Sequence, residues 1–466
     1  MAGLNAVGDF ELSKAELITS SGMVIDLSAS IINITIFEDT TMSSITGDIL
    51  LQDSFALTSV GPIIGQEYLK LQIKTPSLTD KDQIIDFTEN VFIVNSLESR
   101  VEVGNSVTAY LLNFTSSEIV RNARTKVSRS LKGSYSEIVK IMLGEVECKK
   151  KMYIEPTAGR PFDVIKMAMK QSISKFYTKS NYLFFETLKG YHFRSLQSLY
   201  AQPSSQTYTT FVSGSSIDKG GITNVEKELA NVIDFEIIEN PNSIVNYTGG
   251  TFASNLIVHD IFSKTYKKYK YGIFDEFRKE NHITKYHKKN KIDFPIYSHV
   301  FVDEQERTVQ DFPARTFVTS TSNLLDKDAE NSTENNTFPF NPVNAQDWLQ
   351  RRVSQKIQLE QGLLVNILTH GNTIVSAGDI VRLDLPFNSS FKTTDGQKND
   401  RFYKGMFLVK RLRHDFDFGE KKHKTFLTLV KDSLEETLDG PEDNPEPKPK
   451  KSAGLFEDRE DFYPDI

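Results

Sequence analysis

From Phe407 to Leu429 the chain reads FLVKRLRHDFDFGEKKHKTFLTL, two runs of alternating apolar and polar residues around a polar turn. Alternation with a period of two puts one face of a strand on a core and the other in water, so the stretch predicts a β-hairpin. An earlier stretch, FIVNSLESRVEVGNSVTAYLLNF at 92–114, has the same cadence. Phe92, Val94, Leu97 and Gly104 each stand 315 positions before Phe407, Val409, Leu412 and Gly419. Past the turn the match takes a slip of one residue, which aligns Tyr110 and Leu111 with Phe426 and Leu427.

Other strands fall into the same order on both sides. Residues 31–54 alternate, pause on small polar residues with Gly47, and alternate again, which predicts a second hairpin. PIIGQEYLKLQIKT follows, a Pro and Gly corner before another alternating strand. Residues 231–262 repeat the strand, polar pause and strand of 31–55, with NLIVHDIF answering DILLQDSF. SAGDIVRLDL at 376–385 answers IIGQEYLKLQI, a glycine and an acidic residue standing before each strand. Three successive pieces recurring in one order predict a single β-unit present twice.

Helical spacing appears between and inside these pieces. SSEIVRNARTKVSRSL and SYSEIVKIMLGEV open on Ser residues followed by Glu, as a capping box does. RPFDVIKMAMKQSIS starts on Pro161, where a missing N–H does no harm, and brings Phe162, Ile165, Met169 and Ile173 to one side. The strands of NYLFFETLKGYHFRSL follow, which makes 117–205 a small α+β domain. NAQDWLQRRVSQKIQLEQ, 344–361, predicts a helix capped by Asn344 and stopped by Gly362, with Trp348 as its core anchor. The fold class expected is mainly β with α+β parts: two antiparallel β-barrel or sandwich domains with smaller domains inserted. The first β-domain is 1–116, the second is discontinuous over 206–262 and 341–430, and 263–340 is inserted with the polar run DKDAENSTENNTF. A tail, 431–466, is too poor in apolar residues to order itself.

Length fits this count, since 466 residues exceed one ordinary core and suggest roughly three or four domains. Cys148 is the lone cysteine, which excludes an intramolecular disulfide, a cysteine-based zinc site and a CxxC redox pair. The start lacks a basic segment followed by an apolar run, so no secretory signal is expected. No run of about 18 apolar residues occurs, so a soluble chain without membrane insertion is expected. Net charge is −7, and the tail from Lys431 alone holds 12 acidic and 5 basic residues. Residues 264–291 reverse the sign, with 10 Lys and Arg against 3 Asp and Glu. His282 and His287 stand five apart there, off the spacing of a helical metal site, and are expected to be exposed members of a basic loop.

No HExxH, GxSxG, P-loop or GxGxxG is present, so no catalytic residue, metal or cofactor is expected. Candidate partner-binding residues are Lys267, Lys268 and Lys270, in a basic segment interleaved with Tyr266, Tyr269, Tyr271 and Tyr286. Arg351 and Arg352 beside Trp348 join them, as do Leu455, Phe456, Phe462 and Tyr463, apolar residues closing an acidic tail. Two other classes stay open: a cell-wall-degrading enzyme, and a nucleic-acid-binding module centred on 264–291.

The order of elements resembles the baseplate central hub proteins of T-even-like contractile-tailed bacteriophages, a tail-tube-like family related to type VI secretion spike hubs. The resemblance is carried by RPFDVIKMAMKQSISKFYTKSNYLFFETLKGYHF, DWLQRRVSQKIQLEQGLLVNILTHGNTIVSAGDIVRLDL and FYKGMFLVKRLRHDFDFGEKKHKTFLTL, and runs from about 20 to 435. It implies a structural virion protein of the tail baseplate, assembled in the host bacterial cytoplasm. It also implies a homotrimer whose two tube-like domains per chain form a pseudo-hexameric ring. Such a ring adapts a hexameric tail tube to a trimeric spike among the baseplate wedge proteins, and DNA passes its lumen without specific binding. The basic segment and the acidic tail depart from the resemblance, and Lys267, Lys268 and Lys270 are expected to face outward onto neighbouring proteins rather than the channel.

Overall fold

A computed structural model describes residues 7–61, 63–75, 84–104, 107–127, 135–145, 161–172, 174, 181–210, 228–239, 242–260, 264–277, 280–284, 307–321, 346–386 and 399–434. The chain is mainly antiparallel sheet with a few helices, the fold class that the alternating pattern predicts.

Seven strands open the chain: β1 (Glu11–Ile18), β2 (Val24–Asp26), β3 (Ile31–Asp39), β4 (Thr46–Asp53), β5 (Tyr68–Lys74), β6 (Ile85–Gly104) and β7 (Val107–Ser116). They run side by side in the order β3-β4-β7-β6-β5-β1-β2. Their inward positions, among them Leu17, Ile34, Ile36, Ile49, Leu69, Phe92, Leu112 and Phe114, close over one core. Every second residue of β5 is buried, Leu69, Leu71 and Ile73, as its alternation requires.

Helices at Ser117–Arg124, Tyr135–Glu145 and Pro161–Gln171 follow, then the hairpin β8 (Tyr182–Thr187) and β9 (Gly190–Ser195). Phe162, Val164 and Ile165 pack with Val139, Met142, Phe184 and Tyr191, so the face expected of the third helix is its buried one. Ile173, the last residue assigned to that face, lies outside the described residues.

The second β-unit assembles from distant pieces: β10 (Ser204–Thr209), β11 (Val232–Glu239), β15 (Leu363–His370), β16 (Ile380–Pro386), β17 (Asn399–Asp417) and β18 (Lys422–Lys431). β11, β15, β18 and β17 lie in sequence, β16 flanks β17, and β10 flanks β16. Its core holds Val365, Ile367, Val381, Leu383, Phe407, Val409, Leu427 and Leu429.

Between β11 and β15 stands a separate three-stranded sheet, with β12 (Ala253–Asp260) between β13 (Thr265–Gly272) and β14 (Arg315–Thr321). This corrects one expectation: NLIVHDIF forms most of β12 and does not answer β4, whose counterpart is β15. Amphipathic strands of equal length are interchangeable by pattern, and only the pairing separates them. A π-helical turn, Gln346–Arg351, leads into the helix Arg352–Gln361, which ends at Gly362 as expected. Its Leu349 covers Leu256 and Val258 of the small sheet, while Leu359 packs with Leu364 and Val430 of the second unit. Asn344 lies outside the described residues. Among the described residues no helix is long and apolar enough to cross a membrane.

Candidate functional site: two like units, their joint and their edges

The two closing hairpins share a register. Val94 faces Phe114 and Leu97 faces Leu112; Val409 faces Leu429 and Leu412 faces Leu427. Each of these residues stands 315 positions before its counterpart, on both strands. The irregularities coincide too, the ladder skipping Asn95 in one hairpin and Lys410 in the other. The slip expected past the turn therefore falls elsewhere. It lies before the turn, where β6 carries one extra residue between Glu98 and Val101, with Ser99 at φ 54°.

The flanking strands repeat the match. Leu69 of β5 faces Phe92, as Val381 of β16 faces Phe407. Val94 N–H donates to Glu67 O at 2.9 Å and Val409 N–H to Asp379 O at 2.9 Å. Glu67, fully buried, accepts the N–H groups of Ile64, Gly65 and Gln66 at 2.6, 3.0 and 3.0 Å. Asp379 accepts Ser376 N–H at 3.0 Å. The glycine and acidic residue seen before each strand are thus a turn with left-handed Gly65 or Gly378, φ 83° and 88°, closed by a carboxylate. On the other side Ile49 faces Leu112, and Ile367 faces Leu427. Ile34 faces Ile49, and Phe235 faces Ile367. β3, β4, β7, β6 and β5 therefore correspond to β11, β15, β18, β17 and β16. In the first unit Thr40–Ile45 join β3 to β4; the chain from β11 to β15 instead carries the whole small sheet.

The units meet edge to edge. The end of β17 pairs antiparallel with β3, Arg411 facing Asp39 through Asp417 facing Asn33. Arg411 Nε lies 2.7 Å from Asp39 Oδ2, and Asn33 Nδ2 donates to Asp415 Oδ1 at 2.6 Å. Thr40 N–H and its hydroxyl both donate to the carbonyl of the skipped Lys410, at 3.0 and 3.1 Å. Phe416 crosses the joint into the first core, where the Phe10 ring meets it at 5.2 Å. A cleft of about 390 Å³ opens along this surface, spanning β3, β17, β18, β15 and β11.

Glu38, fully buried at the joint, holds three parts of the chain. Its carboxylate accepts Leu188 N–H, from the β8–β9 turn, and Ala377 N–H, from the turn before β16, each at 2.7 Å. Burial raises its pKa to about 7 despite these two donors. Nearby, His414 and His423 stand fully buried with Nδ1 and Nε2 3.0 Å apart. Burial lowers both, His414 to about 3, so the pair is neutral.

The candidate residues are distributed as follows. Lys267, Lys268 and Lys270 lie on β13, which among the described residues is an edge strand of the small sheet and has an exposed surface. Lys267 Nζ sits 5.1 Å from the Tyr269 ring centre, and Lys270 Nζ 3.9 Å from Asp311. Arg351 Nη2 contacts Glu276 at 2.6 Å in a largely buried ion pair, so its charge is matched within the chain. Arg352 is half-buried, and burial lowers its pKa. Trp348 belongs to the π-helical turn, but its side chain lies outside the described residues, as do Leu455, Phe456, Phe462 and Tyr463. His282 corrects an expectation. It is buried, its Nδ1 2.8 Å from Asp432 Oδ2 and its Nε2 2.6 Å from Phe277 O. Both ring nitrogens face oxygen atoms, an arrangement that favours the doubly protonated ring. Burial alone would push the ring down, and Asp432 with the Phe277 carbonyl outweighs it and raises the pKa. His287 lies outside the described residues. Among the described residues no three His, Cys, Asp or Glu side chains cluster as metal ligands.

No protein-family model matches the chain. No curated protein matches it either. Solved structures with a similar course include the tail protein from Neisseria meningitidis MC58, 9% identical, covering 91% of this chain and 97% of that one at a TM-score of 0.48. The prophage MuSo2 43 kDa tail protein from Shewanella oneidensis is 9% identical, covering 90% and 99% at 0.47. The E. coli c3393 protein, a component of the type VI secretion system with structural similarity to T4 bacteriophage tail proteins, is 6% identical, covering 93% and 79% at 0.36. A likeness at these scores assigns no function by itself; the structural neighbours are phage tail and type VI secretion proteins.

Proposed function

We propose that the chain is a structural tail protein, a baseplate hub that assembles as a homotrimer. The observation that supports this is the duplicated β-unit, matched in register across four strand pairs and joined edge to edge within one chain. Three chains with two like units each offer six similar modules around one axis, so the ring matches a sixfold tail tube on one side. Threefold symmetry is kept on the other side, where a trimeric spike fits. The lumen passes DNA without gripping it, and the exposed lysines of β13 face neighbouring baseplate proteins.

Native mass measurement tests this, on the protein alone and with purified tube protein. The expected mass is three times the 52.9 kDa of the chain, shifted further by tube protein. A monomer under both conditions overturns the hub. Binding to duplex DNA that weakens steeply with salt would instead favour a nucleic-acid module on 264–291.

A further inference from the structure

Resting on the ring reading, we propose that the open edge of β11 in one copy pairs antiparallel with the open edge of the β6 tip in a second copy, as β3 pairs with β17 inside one chain.

The correspondence of strands dictates the partners. β17 uses one edge twice, its first half pairing with β16 and its second half with β3. β6 corresponds to β17 and pairs on the same edge with β5 only as far as Ile93. Beyond Ile93 no strand among the described residues occupies that edge up to Gly104. β11 corresponds to β3, whose outer edge β17 fills. Among the described residues the outer edge of β11 meets only the bridge from Thr209 to Asn231, at its start. Each chain therefore contains one completed joint and both halves of a second.

The open edges carry the side chains of a covered surface. Ile233, Phe235, Ile237 and Ile238 of β11 are 46, 37, 41 and 44% exposed. Val101 and Val103 at the β6 tip are 58 and 63% exposed. An unpaired apolar edge strand of this length is a pairing site, and natural sheets seldom leave one in water. Within one copy the two edges do not pair with each other: among the described residues β11 pairs with β15, and β6 pairs with β5 and β7. A second copy is the occupant.

The register follows from the completed joint, where His414 faces Ile36 and Phe416 faces Ile34. Ile36 and Ile34 correspond to Ile237 and Phe235. His414 faces Thr425, the counterpart of Tyr110, opposite which β6 places the extra pair Ser99 and Arg100. Ile237 thus meets Ser99, and Phe235 meets Glu102.

Disulfide trapping tests the joint in a Cys148→Ser background. Ile237→Cys with Ser99→Cys, and Phe235→Cys with Glu102→Cys, should link chains under mild oxidation, because facing residues of paired strands lie within disulfide reach. Phe235→Cys with Leu97→Cys, which the antiparallel direction separates, should not. A protein that is trimeric by mass but links the control pair, or none, overturns this joint and leaves the hub standing. A protein that stays monomeric overturns both. A Phe235→Lys, Ile237→Lys variant should lose at least tenfold in association while its thermal unfolding midpoint as a monomer is unchanged. Undiminished association of that variant counts against the joint.

Discussion

A single pair of facing residues shows how the two units reach one shape with different side chains. Gly47 faces Phe114 in the first unit, and Val365 faces Leu429 at the same place in the second. A Cβ on Gly47 would overlap the Phe114 ring and the Thr35 carbonyl, so the large ring requires the bare backbone opposite it. A smaller Leu429 leaves room for Val365, and both are fully buried. Gly47→Val should cost about 2–4 kcal/mol in urea unfolding, by overpacking. Phe114→Leu should cost about 1 kcal/mol on its own. Together they should cost less than their sum by about 1–2 kcal/mol, because the new leucine removes the ring's share of the overlap while the Thr35 carbonyl's share remains. Strict additivity would show that the two sites are not counterparts in packing.

The turns before β5 and β16 show the same economy with unequal strength. Glu67 receives three backbone N–H groups in full burial, while Asp379 receives Ser376 N–H and a half-exposed Lys189 at 2.9 Å. A carboxylate accepts on both oxygens, whereas an amide presents an NH2 group to the donors on one side. Glu67→Gln is expected to destabilise by about 2–3 kcal/mol and Asp379→Asn by about 1 kcal/mol, read from denaturant midpoints. Equal losses would mean that the buried turn does not depend on its carboxylate. Lys189 adds little, since an exposed ion pair is worth a fraction of this.

Across the whole molecule, Glu38 joins the first unit, the α+β hairpin and the second unit through two hydrogen bonds. Its folded pKa, about 7, lies above the 4.5 of an unperturbed glutamate. Between these values the folded state holds a proton that the unfolded chain has released. Stability from this group is therefore full below pH 4.5, falls as pH rises towards 7, and levels off above. The change is of the order of 3 kcal/mol. Glu38→Gln removes the titration, so the difference in unfolding free energy between the two proteins should slope across pH 4.5–7 and be flat above pH 8. The buried His414–His423 pair acts in the opposite sense, losing stability as pH falls below 6.5, but it is common to both proteins and cancels in the difference. A difference flat over the whole range would place the Glu38 titration outside this window.

Alternation along the chain was enough to assign mainly β structure, the two closing hairpins and the acidic residue before β5 and β16. Period-two burial and a left-handed glycine are local demands that a few neighbouring residues meet or fail. Helix ends at Pro161 and Gly362 were legible for the same reason. Three things needed the fold. β12 has the alternation of β4 but not its neighbours, and pairing is a relation between strands that neither carries alone. His282 looks like a basic-loop residue until Asp432, 150 positions away, is brought to its ring. The edges of β11 and β6 that no strand among the described residues fills became visible only when the joint of β3 with β17 showed what belongs there, because an edge is defined by its neighbours in space.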